Sequence, residues 1–372
     1  MKIVELIPSL SVGGAERVVT LLAEAMAEAN DVTVVALGTS TGSWLEERLA
    51  AVGVSVCFLD KSPGFDAATI LALGRLLRRL RPDVVHTHLH VLKYLLPVWP
   101  LLPRCRIVHT LHNVAAYEAT PADQKLQKLA FTIGVRAVSI GAAVTESFQA
   151  HYGRPPAAEI ANGIPVADYR LPREAGLAVR ESLTIEPDEP VFLSVGRLSM
   201  QKNHALLLKA FADPRLAQHH AHLLVAGDGE LRDDLAAQIA QLGLAGRVRL
   251  LGVRRDVPAL LSAADAFVMS SDWEGNPLVV MEAMSAGRAV VSTSVGCVPA
   301  LVSPGTGLLI PPGAVTSLAE ALVTLASDRI GCHQMGRTAA AEASARFDVS
   351  AMATLYVRLF TSLVQTKAAF QR

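Results

Sequence analysis

Short apolar runs recur along the chain, each followed by a longer stretch whose apolar positions return every three to four residues. The first set falls at 3–7, 32–36, 54–59, 83–86, 106–109, 137–139 and 159–161, with helical stretches near 17–28, 44–51, 67–80 and 142–151. Runs this short and continuous suit strands buried on both faces, and strands separated by helices pair in parallel. A second set begins at 191–195 and continues near 222, 247–253, 266–270, 289–292 and 305–310. Between the sets, 166–189 is polar and carries several prolines, as a linker would. The alternation predicts an α/β protein of two doubly wound, Rossmann-like domains, one over 1–168 and one over 186–348.

Composition narrows the class of function. The 372 residues suffice for two cores, and 51% hydrophobic against 18% charged residues describes an α/β protein with much buried surface. A formal net charge of zero offers nothing that would draw nucleic acid. Cys57, Cys105, Cys297 and Cys332 lack metal-ligand spacing and look like reduced thiols of a cytosolic protein. The chain opens on a strand rather than a signal-peptide pattern, and no apolar run approaches the roughly 20 residues of a membrane span. A cytoplasmic protein is expected.

Candidate chemistry gathers where strands end. After 266–270 comes Asp272-Trp-Glu-Gly-Asn-Pro-Leu-Val-Val-Met-Glu282. Asn276 is predicted to cap a helix, Pro277 to be its first residue, and Gly287 to follow its end. Glu274 then lies on a loop, and Glu282 within an apolar helix, where an ionised carboxylate needs a partner. That partner is either a structural Arg or backbone group, or a ligand's hydroxyls. The helix-start amides beside them suit an anion. Arg197 and Lys202 share the loop after 191–195, where two cations can converge on one diphosphate or simply face solvent. Gly13 and Gly14 stand between a strand and a helix as a nucleotide-binding turn or a plain tight turn. The dinucleotide fingerprint Gly-x-Gly-x-x-Gly is absent, which disfavours nicotinamide and flavin. Histidines collect in His86-Thr-His-Leu-His90 and at His109 and His112. Because side chains alternate sides on an extended segment, His86, His88 and His90 are not expected to converge on one ion, and no metal site is predicted.

The form Glu-x7-Glu around a helix start, with Gly-Arg-x4-Lys-Asn at 196–203 and Gly-Gly-Ala-Glu-Arg at 13–17, resembles retaining glycosyltransferases of family 4, which have the GT-B fold. Within that family the first loop is similar to enzymes that make bacterial surface polysaccharides. Asn162-Gly-Ile-Pro165 resembles the turn closing the first half in these proteins, with Pro165 in place of an Asp, and the likeness covers nearly the whole chain. It implies two Rossmann-like domains facing across a cleft, the first on the acceptor side, the second holding most of the nucleotide, and a helix at about 349–372 crossing back to the first. It implies transfer of a hexose-type sugar from a UDP-sugar to a hydroxyl of a glycan or lipid-linked acceptor, without a cofactor or metal.

The resemblance also assigns roles. Glu274 would hold the transferred sugar, Glu282 the ribose, and Arg197 and Lys202 the diphosphate. Gly13 and Gly14 would approach sugar and phosphates with their backbone, and Val253 would border the base. Gly275, Asn276 and the amides of Leu278 and Val279 would complete the donor site, Pro277 having no N–H to offer. His112 would touch the sugar, and His88 is placed on the acceptor side. The catalytic set would be His112, Glu274, Arg197 and Lys202; the first half shows no convincing nucleophile, and same-face attack is the account that the resemblance implies. A basic helix at 75–81 and the apolar 94–102 are either a membrane-facing surface or a solvated face and a core segment. A nucleotide-sugar 2-epimerase of the same fold, a dehydrogenase and a non-catalytic sugar-binding protein are the alternatives.

Overall fold

The computed structural model describes residues 1–370, with side chains described through 365. The chain folds into two compact units, Met1–Gly163 with the chain from Val349 onward, and Ile164–Asp348. In the first, β1 (Lys2–Ile7), β2 (Asp31–Ala36), β3 (Ser55–Phe58), β4 (Val84–His88), β5 (Arg106–Leu111), β6 (Arg136–Ser139) and β7 (Ala158–Glu159) form one sheet. Its order is β3-β2-β1-β4-β5-β6-β7, and its strand pairs are parallel. Chain order reverses between β1 and β4, and such a switch point opens a crevice at the strands' C-terminal ends. Ile3, Val4, Leu6 and Ile7 of β1 are all at most 2% exposed, as expected of a central parallel strand. The Val349–Phe370 helix packs on the Gly14–Ala27 helix and sets Tyr356 and Phe360 beside His86, ring centroids 4.8 and 5.4 Å away.

In the second unit β8 (Val191–Val195), β9 (His222–Ala226), β10 (Val248–Gly252), β11 (Ala266–Met269), β12 (Ala289–Thr293) and β13 (Gly307–Ile310) pair in the order β10-β9-β8-β11-β12-β13, with the reversal between β8 and β11. The two sheets, each wound from βα units about a switch point, are the Rossmann-like domains that the alternation predicts. The segment 166–189 is not a bare linker. It contains the Val166–Tyr169 turn of 3-10 helix and the Arg173–Ser182 helix, which packs on the Val257–Ala263 helix. A Cβ at Gly176 would stand 2.4 Å from the Ser262 carbonyl oxygen, so the two backbones nearly touch. Arg180 explains how so polar a segment docks. It is 7% exposed and donates to the carbonyls of Ala263 and Glu189 at 2.8 Å and to Asp265 at 2.9 Å. Among the described residues no helix is long and apolar enough to cross a membrane.

Candidate active site

Loops leaving the C-terminal ends of β8 and β11 are laced together. Asn203 adopts a left-handed backbone (φ 44°), caps the His204–Phe211 helix through the Leu206 N–H at 3.2 Å, and donates to Asp272 Oδ1 at 2.9 Å. Gln201 Nε2 donates to the Trp273 carbonyl at 2.9 Å, and the Asp272 N–H to the Gln201 carbonyl at the same distance. Ser270 Oγ lies 3.0 Å from the carbonyls of Lys202 and Asn203. This lacing brings Lys202 Nζ to Glu274 Oε1 at 2.6 Å, where Ser271 Oγ also donates at 2.6 Å. The side chains are 19% and 7% exposed, so the pair is largely withdrawn from water. Gly296 (φ +54°) passes beneath, where a Cβ would stand 2.0 Å from the Glu274 carbonyl oxygen, and the Cys297 N–H donates to the Gly275 carbonyl at 2.8 Å.

Arg197 behaves differently. Its side chain is 74% exposed and meets Glu230, itself half exposed, at 3.2 Å. Such surface pairs contribute little, so the guanidinium is free to turn to an incoming anion. The helix after Glu274 runs Leu278–Ser285, one residue later than predicted. Pro277 takes the cap position with extended backbone (φ −72°, ψ 117°) and no side-chain capping bond, so Asn276 is not its cap. The first amides of that helix, at Leu278 and Val279, have no intrahelical acceptor. Glu282 lies inside it at 0% exposure, Asn276 is 6% exposed, and Val253, beyond β10, is 63% exposed. Lys202, Glu274, Gly275, Asn276 and the helix start are thus one neighbourhood of the second unit.

In the first unit the sheet's C-terminal end carries a buried polar chain. Positions two apart on a strand share a face, so His86 and His88 point together, contrary to the expectation from alternation. Both converge on Glu5 of β1, and all three are 0% exposed. His86 Nδ1 lies 3.1 Å from Glu5 Oε1 and His88 Nε2 2.7 Å from Glu5 Oε2. His88 Nδ1 lies 2.9 Å from His112 Nε2. On the other side His86 Nε2 lies 2.7 Å from Thr110 Oγ1, which meets the Tyr356 hydroxyl at 2.9 Å. The donor atoms of Glu5, His86 and His88 fall within 4.8 Å of one another, and these same atoms are the ones joined by hydrogen bonds. His88, expected on the acceptor side, reaches no solvent and instead holds His112.

Electrostatics follow burial. Burial raises Glu5, but His86 and His88 outweigh it and hold the carboxyl at about 2. Burial pushes His88 down to about 4 and His109 to about 3, and it holds His112 well below 6.5. The His112 backbone is fixed by Glu118, whose Oε2 accepts the N–H groups of His112 and Asn113 at 3.0 and 2.7 Å. Burial drives Glu118 up to about 8 against those two bonds. Gly13 precedes the Gly14–Ala27 helix in extended backbone with the Glu16 carboxylate folded against it, 2.3 Å from where a Cβ would be, and burial raises Glu16. Sequence reasoning missed Glu5, Glu118, Ser271, Thr110 and Tyr356. Glu5 alone carried a signal, a carboxylate inside an apolar strand.

Two family models match the chain, Glycosyltransferase Family 4 over residues 12–168 and Glycosyl transferases group 1 over 178–342. An Escherichia coli UDP-Gal:alpha-D-GlcNAc-diphosphoundecaprenol alpha-1,3-galactosyltransferase is 29% identical over 77% of this chain and 77% of its own. The N-acetyl-alpha-D-glucosaminyl L-malate synthase of Bacillus anthracis is 24% identical over 82% of this chain and 81% of its own. The solved Anabaena HepE in complex with UDP-glucose superposes with a TM-score of 0.85 at 24% identity, over 97% of this chain and 100% of that one.

Proposed function

As a member of glycosyltransferase family 4, the chain is a GT-B glycosyltransferase of glycoconjugate biosynthesis, and we propose that it moves a hexose-type sugar, with retention, from a UDP-sugar to a hydroxyl of a glycan or lipid-linked acceptor. The observation that carries this reading is the Lys202–Glu274 pair beside a helix start, a cation and a carboxylate at the C-terminal end of one sheet. The carboxylate accepts from sugar hydroxyls, and the cation with the helix-start amides meets phosphate. The activity of the Escherichia coli relative, from UDP-Gal to a lipid-diphosphate-linked sugar, supports the choice of donor and acceptor class.

In this reading Arg197, Lys202 and the amides of Leu278 and Val279 neutralise the diphosphate as the anomeric carbon–oxygen bond breaks. Its electron pair leaves with the diphosphate. The acceptor oxygen bonds the anomeric carbon on the same face and passes its proton to the departing phosphate oxygen. Glu274 and His112 hold the sugar, Glu282 the ribose, Gly13 and Gly14 the space beside the phosphates, and Val253 the base. A nucleotide-sugar epimerase would turn over its donor with no acceptor present.

Exposed Leu71, Arg75, Arg78 and Arg79 lie on the Ala67–Leu80 helix, and exposed Lys125, Lys128 and Leu129 on the Pro121–Thr132 helix. We assign these basic and apolar side chains to peripheral contact with an anionic membrane surface. One assay tests the whole reading: nucleoside diphosphate release from a panel of donors, with lipid-linked acceptors in neutral or anionic vesicles, with and without EDTA. Acceptor-dependent release from a UDP-sugar, undiminished by EDTA and faster on anionic vesicles, is expected. Acceptor-independent conversion would replace transfer by epimerisation, and activity restored only by a divalent ion would overturn the metal-free mechanism.

Glu282→Gln separates ribose binding from a structural role. It weakens charge-assisted bonds worth roughly 1.5–3 kcal/mol, so UDP affinity falls by about one to two decades. Glu274→Gln leaves free UDP binding nearly intact and depresses turnover. Calorimetric titration of both, alongside melting curves, decides. Equal UDP affinity in wild type and Glu282→Gln removes Glu282 from the nucleotide site.

A further inference from the structure

Glu5 has no ligand role in the reading above, yet it is a wholly buried carboxylate whose partners among the described residues are two imidazoles. An ionised carboxylate only accepts, so His88 turns an N–H toward it from Nε2. A neutral imidazole carries one ring proton, which leaves His88 Nδ1 as a lone pair. That lone pair lies 2.9 Å from His112 Nε2, and two lone pairs cannot face each other at this distance. His112 therefore donates from Nε2, and its Nδ1 is the bare nitrogen. Nδ1 has no hydrogen-bond partner among the described residues. The low values held at Glu5, His88 and His112 agree with one ionised carboxyl and two neutral rings.

We propose that Glu5, acting through His88, is a positioning residue that fixes His112 in its Nε2–H form, so that His112 offers its ligand an acceptor and never a donor. The polarity is set two residues away from the site, in the core of the sheet. This rests on the reading that His112 meets the transferred sugar. The bare Nδ1 then recognises a hydroxyl, whose proton it accepts, and repels a carboxylate or phosphate oxygen at the same point. It also removes His112 from the candidate general acids, because the nitrogen that meets the ligand carries no proton to give.

Nitrogen chemical shifts of isotope-labelled histidines in the full-length protein test the assignment, His112 being identified by its loss in His112→Asn. At neutral pH the wild type is expected to show His112 wholly as the Nε2–H tautomer. A protonated ring, an Nδ1–H tautomer, or a stoichiometric divalent ion released from the Glu5 cluster on unfolding would overturn the proposal without any variant. Glu5→Leu removes the acceptor that both imidazoles face and strands their buried N–H groups, so a melting curve establishes that the variant is folded before its tautomer is read. In it the tautomer is expected to become mixed, and kcat to fall roughly tenfold to hundredfold with UDP affinity unchanged. A single Nε2–H tautomer in Glu5→Leu would overturn the relay. A mixed tautomer with unchanged kcat would leave the relay standing and overturn the assignment of His112 to the sugar.

Discussion

Lys202→Ala is expected to lower kcat about a hundredfold to a thousandfold, the loss typical of removing one group that stabilises charge developing in a transition state. The same substitution strands Glu274, whose carboxylate keeps Ser271 but loses its cation. Breaking a buried pair costs about 3–5 kcal/mol, and the 19% exposure of Lys202 places this one toward the lower end. Stability and catalysis therefore change together, and a single variant cannot separate them. Glu274→Gln does, because a neutral amide needs no cation. In that background Lys202→Ala should cost little in melting temperature yet still slow the chemical step. Single-turnover rates and melting curves of both single variants and the double complete the cycle. A double variant that turns over as fast as Glu274→Gln alone would show that Lys202 only neutralises Glu274, and the diphosphate would lose its chief ligand.

Acidification should destabilise the first unit well before ordinary carboxylate titration would. His88, His109 and His112 have folded pKa values below their unfolded 6.5, so the unfolded chain takes up protons first and stability falls as pH drops. At pH 5 His88 and His109 each forfeit about 2 kcal/mol, roughly 4 kcal/mol together, and His112 adds to the loss in the same direction. Glu118 opposes this. Its folded pKa is raised to about 8, so folding is penalised at neutral pH and that penalty fades toward pH 5, returning about 2.5 kcal/mol. Glu5, held at about 2, contributes stability that is lost only below its unfolded value of about 4.5. The net loss between pH 7 and 5 is then at least about 1.5 kcal/mol, a sizeable share of a total near 5–15 kcal/mol. Denaturant titrations at successive pH values should show it, and a flat stability across that window would mean the three rings are not held neutral.

Most strands of both sheets coincide with an apolar run, because strands buried on two faces favour continuous apolar sequence. The polar exceptions, Glu5 in β1 and His86 to His88 in β4, bond one another or neighbouring strands, and the two-residue β7 has an exposed Glu159. Placement is legible where residues lie close in sequence, as with Lys202 on the loop after β8 and Glu282 in a buried helix, whereas Arg197 turns outward to Glu230 rather than toward Lys202. Pairing is not. Lys202 meets Glu274 across 72 positions, Glu5 meets His88 across 83, and Thr110 meets Tyr356 across 246. Nothing local encodes such partners. Alternation misleads at His86 and His88, because residues two apart share a face and here share one carboxylate. The linker reading of 166–189 fails because Arg180 satisfies backbone carbonyls inward, which composition does not reveal.

The helix that seals the first sheet is made only after the whole second unit. Tyr356 and Phe360, 1% and 0% exposed against His86, belong to the first unit's core, yet they follow residues 164–348 in the chain. At about 5–20 residues per second those intervening residues take roughly 10–40 s to leave a ribosome. Throughout that interval Thr110 lacks its tyrosine and the face under the Gly14–Ala27 helix stays uncovered. The second unit, contiguous from Ile164 to Asp348, carries no such debt and can close first, so the order of folding runs opposite to the order of synthesis.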